Sequence, residues 1–111
     1  MINVLIIKSK QNIITVEATG HSGYAEHGTD IVCSAISSLM QNLANGITEV
    51  VKAEAKVIVD EDIPHLSISL KETDVEKCKY AQVLMQTTIL SLKEVAKSYS
   101  KYIKIKEKQN D

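Results

Sequence analysis

The sequence predicts an α+β fold, a two-layer sandwich ordered β-β-α-β-β-α with a further short strand at the end. Three observations carry this. Two pairs of short, β-branched runs each flank a polar turn, the pattern of a β-hairpin. Each pair is followed by a long segment whose apolar residues recur at spacings of three and four, the amphipathic helical period. At 111 residues the chain is long enough for one core and too short for two. Hairpins imply a mainly antiparallel sheet, and two helices with one apolar face each cover one side of it. A single domain is expected over 1–106, with 107–111 as a fraying polar tail.

The elements follow in order. Ile2 to Lys8 is a β-branched run bounded by Ser9-Lys10-Gln11-Asn12. Asn12 to Ala18 resumes the pattern, with Ile14, Val16 and Ala18 on one face and Thr15 and Glu17 on the other. Gly20 to Thr29 is a loop holding three of the four glycines. Asp30 is a good N-cap for a first helix carrying Ile31, Val32, Ala35, Ile36, Leu39, Met40, Leu43, Ile47 and Val50. On that register Cys33 sits in the first helical turn. Gly46 late in this helix marks a bend or a close packing contact.

A second hairpin joins Lys56–Asp60 to His65–Lys71 across Glu61-Asp62-Ile63-Pro64, with Leu66, Ile68 and Leu70 inward. Thr73 or Asp74 caps a second helix running to about Ser100, whose stripe includes Val75, Cys78, Ala81, Met85, Ile89 and Leu92. Tyr102 to Lys106 alternates isoleucine with lysine, as a short edge strand does. The helix-free face of the sheet, or an exposed helix stripe, offers a surface for homodimer contact.

Composition narrows the function. Net charge is −1, and all thirteen basic residues are lysines. The arginine fork that reads phosphate and guanine is absent, which argues against direct nucleic-acid binding. No apolar run approaches the roughly 18 residues of a membrane span, and Met1 to Ile7 lacks a basic leader region. With two cysteines in unlike contexts, free thiols in a reducing cytoplasm are expected.

One stretch gathers reactive groups: His21 directly after Gly20, and Cys33 just inside a helix start. A thiolate is stabilised by a helix N-terminus and by a neighbouring imidazolium, which is what a thiol nucleophile requires. His21 is positioned to return to Cys33 across the loop as base and acid. Asp30 has two alternative roles, helix cap or orienter of His21. Ser37 lies one turn beyond Cys33 on the same face, placed to donate a hydrogen bond. Helix-terminal N–H groups would hold the oxyanion formed on a substrate carbonyl. His21, His27 and Cys33 lack the closely paired spacing of zinc ligands, so no metal and no cofactor is expected. His65 has no partner in the sequence and reads as structural. Cys78, in a core stripe, reads as inert, and Asp60-Glu61-Asp62 as a solvated turn.

The residues Gly20-His21 and Gly28-Thr29-Asp30-Ile31-Val32-Cys33-Ser34-Ala35-Ile36-Ser37 resemble the signature of the ribosomal-processing cysteine proteases, the Prp (YsxB-like) family. Chain length and element order agree, so the likeness spans the domain; Ser22 stands where the family more often has alanine. The resemblance implies a catalytic His21–Cys33 dyad with Gly20, Asp30 and Ser37 in support. It implies a cytoplasmic, homodimeric bacterial endopeptidase that removes the N-terminal extension of large-subunit ribosomal protein number twenty-seven during ribosome maturation. The competing expectation is a non-catalytic ribosome-associated assembly or binding protein. The lack of arginine and the near-neutral charge weigh against it.

Overall fold

A computed structural model describes residues 1–20, 27–60 and 65–110, with the backbone alone for 27–30. The elements are β1 (Ile2–Ser9), β2 (Asn12–Thr19), α1 (His27–Asn45), a π-helical turn (Gly46–Val50), β3 (Ala55–Asp60), β4 (His65–Leu70), α2 (Val75–Ser98) and β5 (Ile103–Gln109). The five strands form one sheet in the order β3-β4-β2-β1-β5. Both hairpins form, and β2 joins them by pairing antiparallel with β4.

The last strand departs from expectation. β5 pairs in parallel with β1, Ile2 opposite Ile103 and Val4 opposite Ile105, so the sheet is mixed. It runs to Gln109, well into the segment expected to fray. Residues 107–109 are held because β1 offers an unpaired edge along its whole length.

One face of the sheet carries Val4, Ile6, Val16 and Ile68 into a core with Val32, Ile36, Met40, Leu43 and Ile47 of the first helical segment. Met85, Ile89 and Leu92 of α2 close it from the other side. Burying each such side chain contributes about 1.5–3 kcal/mol, which is why the helical stripe decides where α1 and α2 lie. Ile31, Val50 and Val75, placed on the stripes by spacing alone, face solvent instead. Thr88, passed over as polar, is buried because its hydroxyl donates to the Leu84 carbonyl at 2.8 Å.

The register of β2 also differs. A bulge between Ile7 and Lys8 shifts the pairing so that Ile13 lies opposite Lys8 and Thr15 opposite Ile7. Ile13 is therefore buried where alternation placed Ile14. Gly46 starts the π turn, closed by the Val51 N–H donating to the Gly46 carbonyl at 2.9 Å. A Cβ there would lie 3.0 Å from Leu84 Cδ1, so this glycine serves close packing of α1 against α2.

Candidate active site

α1 begins at His27, three residues before Asp30, so Asp30 lies within the first turn and does not precede the helix as its cap. Cys33 is six residues beyond the helix start, about 9 Å along the axis. The macrodipole acts mainly within the first turn, and only the first four N–H groups lack intrahelical partners. Helix-terminal stabilisation of the Cys33 thiolate and of an oxyanion at this sulfur is therefore much weaker than the sequence register implied.

The geometry around Cys33 is otherwise favourable. The half-buried thiol lines a cavity of about 400 Å³ between the start of the sheet and α1. Ile2, Ala18, Ile36, Met40 and Leu66 give this cavity an apolar floor. Ser37 and Gln41 follow Cys33 at successive helical turns and line the same wall, presenting a hydroxyl and an amide. Gly20 lines the opposite side with φ +87°, and a Cβ there would meet the Met1 carbonyl oxygen at 2.8 Å. Only glycine fits both the left-handed backbone and that contact.

Three of the five anticipated residues, Gly20, Cys33 and Ser37, thus share one cavity. His21, and the side chains of His27 and Asp30, lie outside the described residues, as do Ser22, Glu61 and Asp62. Among the described residues no cluster of histidine, cysteine and carboxylate side chains is arranged to hold a metal ion.

Sequence reasoning passed over His65, Asp60 and Gln41. His65 lines the cavity with Asp60, its cross-strand neighbour in the β3–β4 ladder. It also has a partner: Nε2 lies 2.8 Å from Glu17 Oε1, close enough for an ion pair but off the line of a hydrogen bond. The signal was strand parity, since Glu17 and His65 share the helix-free face and meet diagonally once β2 pairs with β4. Gln41 was legible as the third member of the Cys33–Ser37 series at four-residue spacing.

Cys78 is not a core residue. It sits half-buried in the first turn of α2, and its Sγ donates to the Glu72 carbonyl at 3.3 Å. Asp74 caps that helix by accepting from the Lys77 N–H at 3.0 Å. Cys78 lines a separate groove of about 780 Å³ beside the β1–β2 turn.

A family model described as Cysteine protease Prp matches residues 1–104. The Ribosomal processing cysteine protease Prp of Bacillus subtilis (strain 168) is 28% identical over 107 residues, covering 95% of this chain and 96% of its own. A crystal structure of a Streptococcus mutans protein superposes with a TM-score of 0.88 at 29% identity, covering 99% of this chain and 96% of that one. The Staphylococcus aureus ribosomal processing protease Prp, solved with a substrate peptide, gives 0.85 at 26% identity, covering 97% and 100%. Its complex with a covalently linked product peptide gives 0.84 at 27%, with the same coverage. With a family model matching residues 1–104, nearly the whole chain, this chain belongs to the Prp family of cysteine proteases.

Proposed function

We propose that the chain is a ribosomal-processing endopeptidase that removes the N-terminal extension of large-subunit ribosomal protein number twenty-seven, acting in the cytoplasm as a homodimer. The single observation that carries the proteolytic part is the placement of the Cys33 thiol in the wall of an apolar, peptide-sized cavity beside Gly20 and Ser37. The ribosomal substrate is supported by the activity for which the relatives are named.

In the proposed mechanism His21 takes the Cys33 proton, and the thiolate attacks the scissile carbonyl carbon. The C=O pair moves to oxygen, giving a tetrahedral oxyanion. Ser37 and Gln41, which line the same wall, supply side-chain donors for it. His21 then protonates the departing amine, the C–N bond breaks, and a thioester to Cys33 remains. Water, deprotonated by His21, attacks that thioester and releases the acid product and the thiol. An apolar floor suits an apolar side chain next to the scissile bond.

The test is incubation of the purified chain with the extended ribosomal protein, with product masses measured. Cleavage at one bond by wild type and by Cys78→Ala, and none by Cys33→Ala or His21→Ala, is the expected outcome. Full activity in Cys33→Ala would overturn the assignment.

A further inference from the structure

The two edges of the sheet are finished differently. β5 closes one with Lys104, Lys106 and Lys108, the charged kind of border that discourages further pairing. β3 forms the other, and there Val57, Ile58 and Val59 are 37%, 39% and 59% exposed. Between Lys56 and Asp60 no charge, proline or register shift blunts this edge.

The phase of the ladder decides which backbone groups are open. The Lys71 N–H donates to the Glu54 carbonyl at 2.8 Å, and Ala55 lies opposite Leu70. By antiparallel alternation Lys56 and Ile58 turn their N–H and C=O groups to β4, while Val57 and Val59 turn theirs outward. Among the described residues these outward groups meet no backbone partner. The Val57 and Val59 side chains share the helix-side face with Leu66 and Ala18. Val59, Leu66 and Ala18 all line the cavity that holds Cys33.

We infer that the β3 edge is the docking strand for the substrate polypeptide, which joins the sheet beside Val57–Val59 and enters the cavity past Val59. Continuity selects this occupant, because the open edge runs directly into the wall of the site that must receive the scissile bond. Main-chain bonds to Val57 and Val59 hold the chain, and every second substrate side chain is turned to the cavity side. The inference rests on the endopeptidase reading above and assigns the surface along which its substrate lies.

Amide hydrogen exchange of the Cys33→Ala chain tests it, alone and with a synthetic peptide spanning the scissile bond of the extended ribosomal protein. Alone, the Val57 and Val59 amides should exchange freely and the Ile58 amide slowly. With peptide, the two outward amides should be protected at least ten-fold. Copies of the peptide carrying a single N-methyl group should resist cleavage by wild type at alternate positions on one side of the scissile bond. Val57→Pro removes an outward N–H and leaves the β4 ladder intact, so it should lower kcat/KM roughly ten-fold without slowing alkylation of Cys33. Cleavage with unprotected β3 amides and no alternation along the peptide would overturn this inference alone. Protection without cleavage would overturn the endopeptidase reading instead, and the absence of both would overturn both. Val57 and Val59 amides already protected in the peptide-free chain, in proportion to its concentration, would give the edge to a second copy and overturn the inference.

Discussion

The side-chain amide of Gln82 completes the backbone of Ile13 on both sides. Its Oε1 accepts from the Ile13 N–H at 2.8 Å, and its Nε2 donates to the Ile13 carbonyl at 2.7 Å. Ile13 adjoins the bulge, where the ladder with β1 is interrupted. A residue of α2 thus takes the place of the missing strand partner and ties the helix to the first hairpin.

Removing that amide should be costly. Gln82→Leu leaves two half-buried backbone groups without their partner, and a loss of about 1–3 kcal/mol in unfolding free energy is expected by urea denaturation. Gln82→Glu keeps the acceptor and loses the donor, so it should fall between the two. A Gln82→Leu variant as stable as wild type would show that water replaces the amide without penalty.

The two thiols should separate chemically as well as genetically. With an imidazole partner, Cys33 is expected to react rapidly and stoichiometrically with an alkylating reagent near pH 6, whereas Cys78 should react slowly. Alkylation should abolish cleavage in the same proportion as it labels Cys33. Equal, slow labelling of both cysteines would contradict the activation of Cys33.

Gly20→Ala places a Cβ against the Met1 carbonyl and forces an L-residue to φ +87°. A destabilisation of about 1–3 kcal/mol is expected, together with loss of activity, because Gly20 lines the cavity. Thermal unfolding and turnover measured on the same sample check both. Unchanged stability would mean the strand end relaxes freely.

Acid should weaken the fold through Glu72. Its carboxylate accepts from the backbone N–H groups of Asp74 and Glu54, and these hold its pKa below the ordinary glutamate value, with Thr73 and Lys77 adding to the effect. A carboxyl group depressed on folding contributes stability above its unfolded pKa, and that contribution is lost as pH falls through the folded value. The loss should therefore appear below about pH 4 and be smaller in Glu72→Gln. Because this carboxylate is only partly shielded from water, a modest slope is expected in acid denaturation.

Much of this was legible in the chain, and the misses share a cause. Both hairpins and both helices follow from local periodicity and turn chemistry, which one segment can express alone. The cavity residues Gly20, Cys33 and Ser37 were legible because the sequence sets a glycine-rich stretch directly before a helical period. What local pattern does not encode is pairing between distant segments. The β1–β5 ladder, the His65–Glu17 contact and the Gln82–Ile13 clamp each join segments far apart in sequence. The helix start was missed for a different reason: Asp30 is a strong cap by type, yet helical geometry continues back to His27.

The parallel pairing of β1 with β5 makes the first strand wait for the last. During synthesis β1 emerges early, but its outer edge finds a mate only once Ile103–Gln109 has left the ribosome. The sheet flooring the cavity is thus incomplete in any nascent or prematurely truncated copy. A complete sheet beneath Cys33 therefore waits on β5, and substitutions that weaken the β1–β5 ladder would slow assembly more than equal losses within a hairpin.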